Sequence, residues 1–260
     1  MRLLALLLVL ASMVPPESTA AATDQPLPPA GGIFDYQIGG AYRPYPGTDV
    51  VSRDRKARPA PGLYSICYVN AFQTQPDEID WWQERHPGLL LRDGSDLVVD
   101  GEWDEVLLDL ATAAKREKIA RIVGRWTSRC ADKAFDAVEF DNLDSWTRSH
   151  GLLSIGDAKS LARRLNRVAA AAGLASGQKN TTQLTTVGPD LGFSFAVAEE
   201  CNRYRECAAY TAAYGSHVYV IEYRRSDFER GCEAWPELAI VLRDRLVRPR
   251  SSAGHVHDAC

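Results

Sequence analysis

The 260-residue sequence lacks most of the short signatures that tie a chain to one chemistry. No G-x-G-x-x-G follows any apolar run, which removes the usual dinucleotide-binding turn. No G-x-S-x-G is present, and no serine stands at a strand end with a histidine partner, so a nucleophile-elbow hydrolase is excluded. Histidine is scarce, at five residues, and only His255 and His257 lie close together, in the terminal GHVHDAC, which reads as a solvated tail. Basic residues are not in surplus: 30 Lys and Arg against 34 Asp and Glu give a net charge of −4. That balance argues against a nucleic-acid partner, whose phosphates require a basic face. With 19 Gly and 14 Pro the chain is neither collagen-like nor low-complexity.

A long apolar run is missing as well. Leu3–Leu10 and the residues to Val14 follow a single Arg2 and lead into small residues at Ser18–Ala22. The run falls short of the roughly 20 apolar residues of a membrane span. A positive start, a short apolar stretch and an A-x-A-like end predict a secretory signal peptide over residues 1–22; an uncleaved anchor or buried helix is the alternative. Residues 23–32, rich in Pro and Gly, are then a linker, and 33–260 a single domain. The expected product is exported, secreted or periplasmic, with no membrane attachment after cleavage.

Six cysteines, at 67, 130, 201, 207, 232 and 260, are an even number in an exported chain and suggest disulfides, with 15 connectivities open. Zinc requires closer pairs, and Cys201 and Cys207 are six apart with no accompanying His pair. A bridge at Cys260 would tie down the chain end.

After the linker, short apolar runs alternate with helical patterns. Strands are predicted at Ile33–Ile38, Leu63–Val69, Val106–Asp109, Ala137–Asp141, Leu174–Gln178, Phe193–Ala198, Val218–Glu222 and Ala239–Leu242. Several are apolar on both faces, as in parallel strands covered on both sides. Helices are predicted at Thr112–Arg129 and Asp157–Ala172, with shorter ones at Asp77–Arg85, Tyr204–Ala213 and Ser226–Cys232. Eight strands, each followed by a helix or a long connection, predict an α/β fold of the (β/α)8 TIM-barrel type; an open doubly wound sheet is the alternative.

In such a barrel the site is built at the C-terminal strand ends. In chain order those ends carry Asp35, Tyr36 and Gln37; Tyr68, Asn70 and Gln73; Asp109; Asp141, Asn142 and Asp144; Gln178, Lys179 and Asn180; Glu199 and Glu200; Glu222 and Tyr223; then Arg243 and Asp244. Any one Asp or Asn there can be a helix cap. Carboxylates after six of eight strands instead predict an acidic mouth. Paired carboxylates suit glycoside hydrolysis, while a carboxylate-rich mouth also suits a divalent metal. Neither a metal nor a cofactor is expected. Tyr36, Tyr42, Tyr45, Phe72, Trp146 and Tyr223 fall in or beside the loops, with Trp146 the best candidate to stack on a sugar ring; Trp81, Trp82, Trp103 and Trp126 read as helix–barrel packing. Lys179 either neighbours Asp141 or pairs with Glu139. Asn180-Thr181-Thr182 is a glycosylation sequon whose strand-end position makes modification unexpected.

The strings FDYQIGG, LYSICYVNAFQTQP, FDAVEFDNLDSW, GLASGQKN and FAVAEECNRYREC, in this order from Phe34 to Asp244, resemble glycoside hydrolase family 114, the endo-α-1,4-polygalactosaminidases. The resemblance implies a TIM-barrel glycosidase acting on α-1,4-linked galactosamine-containing polysaccharide. It also implies Asp141 and Glu199 as the catalytic pair, with Glu200 as rival to Glu199. By similarity with retaining α-glycosidase barrels, Asp141 would be the nucleophile and Glu199 the acid/base. A polymer bearing ammonium groups would be drawn to a mouth lined by Asp35, Asp109, Asp144, Glu200, Glu222 and Asp244. The alternatives are a glycosidase of other sugar specificity and a non-catalytic polysaccharide- or metal-binding barrel. With no coiled coil or apolar interface stripe, a monomer is expected.

Overall fold

A computed structural model describes residues 25–260. The expected signal peptide and the first two residues of the expected linker lie outside the described residues. Eight parallel strands follow one another around a single sheet: β1 (Phe34–Gln37), β2 (Val50–Asp54), β3 (Tyr64–Asn70), β4 (Ala137–Asp141), β5 (Ala175–Lys179), β6 (Phe195–Glu199), β7 (Val218–Glu222) and β8 (Ala239–Arg243). Each pairs in parallel with the next, and β1 lies beside β8, so the sheet curls into a nearly closed (β/α)8-type barrel. The fold class expected from the sequence is the one observed.

Side-chain alternation sorts each strand into two sets. Phe34, Tyr36, Ile66, Ala137, Ala175, Phe195, Val197, Tyr219, Ile221 and Val241 form one buried cluster, the barrel interior. Their neighbours Cys67, Val69, Val138, Phe140, Ala196, Ala198, Val220 and Leu242 belong to a second, larger cluster with the helices. The interior is filled by Tyr and Phe against Ala and Gly. At Gly177 a Cβ would sit 2.5 Å from the Phe195 ring, so only glycine fits there.

The outer helices include α1 (Ile79–Arg85), α2 (Ala113–Asp132), α3 (Ile155–Ala171), α4 (Gly188–Leu191), α5 (Cys201–Tyr204), α6 (Cys207–Tyr214) and α7 (Arg225–Ala234). Thr112 caps α2 by accepting from the Lys115 N–H, and Ser154 opens α3 with a capping box to Asp157.

The expected third strand is corrected. Val106–Asp109 is not in the barrel but in an insertion after β3, where small antiparallel pairs join 92–93 to 96–97 and 99–100 to 105–106. Leu107 and Leu108 are apolar because the insertion buries them: their backbone bonds Leu91, Val98 and Phe72. The strand the sequence reading missed is β2, whose VVSRD turns polar after two residues and has no flanking helix. The two errors cancel, so the numbering from β4 onward is as expected.

All six cysteines are paired: Cys67–Cys130 joins β3 to α2, Cys201–Cys207 closes the turn after β6, and Cys232–Cys260 ties the chain end to α7. The C-terminal segment is not a solvated tail, because β9 (His257–Ala259) pairs antiparallel with β8. His257 stacks on Tyr45 with ring centroids 4.0 Å apart. No helix among the described residues is long and apolar enough to cross a membrane.

Candidate active site

The inward positions at the C-terminal ends of β3 to β6 are Tyr68, Glu139, Asp141, Lys179 and Glu199, and they meet. Lys179, 1% exposed at its side chain, is the centre. Its Nζ donates to the Tyr36 hydroxyl at 2.8 Å and to Asp141 Oδ2 at 3.4 Å, and stands 3.4 Å from Glu199 Oε2 and 3.9 Å from Glu139 Oε2. Burial alone would discharge this ammonium, but Asp141, Glu199 and Glu139 together hold its pKa well above the usual value. Both readings of Lys179 thus hold at once: it faces Asp141 and Glu139.

Asp141 is held from several sides. The Tyr68 hydroxyl donates to Oδ2 at 2.8 Å, and the Asn142 N–H donates to Oδ1 at 2.7 Å. Glu199 accepts from Asn180 Nδ2 at 2.8 Å and from the Tyr223 hydroxyl. Asn180 Oδ1 in turn accepts the Glu199 N–H at 2.7 Å, so one side-chain amide fixes both backbone and side chain of Glu199. Burial, with Glu199 beside it, pushes the Tyr223 hydroxyl well above its ordinary value; burial does the same to Tyr36 and Tyr68, which neighbouring carboxylates raise further. All three stay protonated as hydrogen-bonding hydroxyls.

The backbone turns sharply where these side chains are presented. Asn142, Asn180, Thr181 and Glu200 have φ of 66°, 47°, 65° and 56°, the left-handed region that non-glycine residues rarely adopt. They stand immediately after β4, β5 and β6, and such strain concentrates at functional sites.

One carboxylate was not found by sequence reasoning. Glu105, on the insertion, accepts from Asn70 Nδ2 at 2.8 Å and Asn142 Nδ2 at 3.0 Å. Burial raises its pKa to about 8, against the lowering effect of these amides. It braces the Asn142 turn beside Asp141. No local signal marks it, since it lies in the insertion, just before the Val106–Asp109 run that was read as a strand. Glu139, read only as a partner for Lys179, is fully buried, accepts from Ser52 Oγ, and burial raises its pKa to about 7.

Several expected site residues lie elsewhere. Gln178 and Glu222 face outward, one residue out of phase with Lys179 and Tyr223. Gln178 accepts from the Tyr214 hydroxyl at 2.6 Å, and Glu222 from the Asn202 N–H at 2.8 Å. Asp35 and Gln37 are out of phase with Tyr36 and join Tyr42, Arg53, Arg243 and His257 in a separate buried network. Asp109 precedes α2 and pairs with Lys115. Asp144 binds Arg148 through both oxygens at 2.9 Å. Glu200 pairs with Arg203 and Arg245, leaving Glu199 as the one that meets Lys179. Asp244 pairs with Arg248. The acidic mouth expected from these six residues is therefore mostly neutralised by Arg and Lys. Trp146 is half-buried against the outer core, whereas Trp81 and Trp103 are exposed rather than packed under helices. Among the described residues, no three His, Cys, Asp or Glu side chains are grouped to hold a metal ion.

A carboxylate pair sharing one buried ammonium, with tyrosine and asparagine donors fixing both, is suited to acid/base and nucleophilic work at one acetal carbon. Comparison with known proteins agrees in kind. The family model described as Glycoside-hydrolase family GH114 matches residues 15–260. No curated protein matches the chain. Among solved structures it is similar to Aspergillus fumigatus Ega3 crystallised with galactosamine: TM-score 0.73, 19% identity, 94% of this chain and 100% of that one. It is also similar to the glycoside hydrolase domain of PelA from Pseudomonas aeruginosa, with TM-score 0.56, 14% identity, and 86% and 96% coverage. At such identities these two likenesses speak to the fold, and they agree with the barrel.

Proposed function

Because the chain belongs to glycoside-hydrolase family GH114, we propose that this glycoside hydrolase cleaves α-1,4-linked galactosamine-containing polysaccharide internally, with retention, through Asp141 and Glu199. The observation that carries the mechanism is the pair's shared neighbour. Asp141 Oδ2 and Glu199 Oε2 each lie 3.4 Å from Lys179 Nζ, so they are at most twice that, 6.8 Å, apart. Retaining glycosidases place their carboxyl groups about 5–5.5 Å apart, whereas inverting ones need about 6.5–9.5 Å to admit a water. Two carboxylates whose facing oxygens share one ammonium, within 6.8 Å of each other, support the closer, retaining arrangement.

In this mechanism Asp141 attacks the anomeric carbon while protonated Glu199 gives its proton to the leaving oxygen. The C–O bond breaks and a glycosyl ester forms on Asp141. Glu199, now ionised, takes a proton from water as the water oxygen displaces Asp141, which restores both groups. Tyr223 suits this exchange because a hydroxyl donates to ionised Glu199 and accepts from protonated Glu199. The Lys179 ammonium steadies whichever carboxylate is charged.

The amino-sugar specificity is supported by the family and by the galactosamine bound to Ega3. Export is supported by the residue 1–22 pattern and by three disulfides, which persist in oxidising compartments. The test is mass-spectrometric product analysis after incubation with partly deacetylated α-1,4-polygalactosamine, beside chitosan and an Asp141→Asn control. Galactosamine oligomers from the wild type alone are expected. No cleavage by folded protein would overturn the substrate, and cleavage by Asp141→Asn would overturn the nucleophile.

A further inference from the structure

Away from the barrel mouth, α2 and α3 enclose a groove of about 710 Å³ on the outer face. Its origin is local. Gly124 lies against Val168, where a Cβ would come within 3.2 Å of Cγ1, so the two helices approach closely over a floor of small residues. The walls are arginine: Arg121, Arg125 and Arg129 from α2, Arg164 and Arg167 from α3. Four positions separate successive arginines on α2, so the row advances about 6 Å per step along one face, about 12 Å in all.

Clustering sets this row apart from ordinary surface charge. Arg121, Arg125, Arg129 and Arg167 are exposed, and their side chains make no ion pair or hydrogen bond among the described residues; other unpaired arginines, such as Arg85 and Arg163, do not share the groove. Within the groove only Arg164 is paired, with Glu117 at 2.6 Å, and Asp132 is the one other acid. Like charges four apart also weaken a helix by a few tenths of a kcal/mol each, and only Arg129, in the last turn of α2, gains from the helix dipole. A chain of net charge −4 has gathered unpaired cations in one concave strip.

We propose that this groove binds an anionic polysaccharide, its carboxylate or sulfate groups received by the arginine row, and so holds the enzyme on a charged matrix separately from its catalytic mouth. Guanidinium forks match such groups bidentately. No aromatic side chain lines the groove, so it has no platform for nucleobases. No exposed large apolar side chain lines it either, so it has nothing to insert into a bilayer.

The test measures binding of the mature protein to polygalacturonate and to heparin oligosaccharides, with dextran as neutral control. A single-stranded oligonucleotide and anionic phosphatidylglycerol vesicles serve as competing probes. Binding to the two anionic polymers, weakening with added salt, is expected. The Arg121→Gln/Arg125→Gln/Arg129→Gln variant should lose about tenfold or more in affinity, with unchanged melting temperature and unchanged hydrolysis. The same loss in an Arg164→Gln/Arg167→Gln variant would show that both helices contribute. Absence of binding by the wild type, equal affinity in the triple variant, or tighter binding to the oligonucleotide or vesicles would overturn the proposal.

Discussion

Glu139 offers the sharpest test of the electrostatics around Lys179. It is fully buried inside the barrel, with Ser52 Oγ donating to one oxygen and no hydrogen-bond partner for the other. Burial raises its pKa from 4.5 to about 7, and Lys179 offsets only part of that. A carboxyl whose folded pKa lies above its unfolded value stabilises the fold while protonated. That contribution is complete below pH 4.5 and is lost as pH rises toward 7. The interval corresponds to about 3 kcal/mol, and for a chain of this size to roughly 5–10 °C in melting temperature.

Glu139→Gln keeps the shape and removes the titration. Calorimetric melts of wild type and variant at pH 5 and pH 8 form the assay, and the readout is the difference between the two pH-dependent changes. Glu105 and Glu222, raised by burial to about 8 and about 7, titrate in both proteins and cancel. The wild type should lose roughly 5–10 °C more than the variant between pH 5 and pH 8. Equal losses would refute the reasoning, because Glu139 would then be ionised at pH 5 and matched to Lys179 as a full ion pair.

Two further outcomes follow from single contacts. Tyr223→Phe removes the hydroxyl that bonds Glu199, and kcat should fall about 10- to 100-fold, the worth of one hydrogen bond to a charged group; an unchanged kcat and pH profile would remove Tyr223 from the acid/base step. The Cys232→Ser/Cys260→Ser pair opens a bridge between residues 28 apart and should cost about 3–4 kcal/mol in a denaturant melt with little change in kcat; undiminished stability would count against this pairing.

The barrel was legible because its strands are buried on both faces. YSICYV, VYVIEY and AIVL read as continuous apolar runs, and the capped helices α2 and α3 stand between them. Strand β2 was not legible. Its outer face is closed by the loops on either side of it and not by a helix: Arg53 bonds the backbone of Tyr42 and Arg58, and the C-terminal segment reaches the neighbouring network through His257. The buried run at Val106–Asp109 looked like a strand for the opposite reason, because an insertion with its own small core has the same composition as a barrel stave.

For the candidate site, strand ends supplied the residues that gather around Lys179, but proximity to a strand end does not say which way a side chain points. Alternation does, and it was available in the sequence. From Ala175 and Gly177, residues small enough to face a crowded interior, the inward set continues to Lys179 and excludes Gln178. From Tyr219 and Ile221 it continues to Tyr223 and excludes Glu222, and from Ala137 it runs through Glu139 to Asp141. From Phe195 and Val197 it selects Glu199 over Glu200, the choice that family resemblance made on other grounds. Applied strand by strand, the period of two would have dropped Gln178 and Glu222 and promoted Glu139 from a partner to a member of the site. It would not have found Glu105. That residue reaches Asn142 from an insertion 37 positions earlier, and only the folded path of the chain joins them.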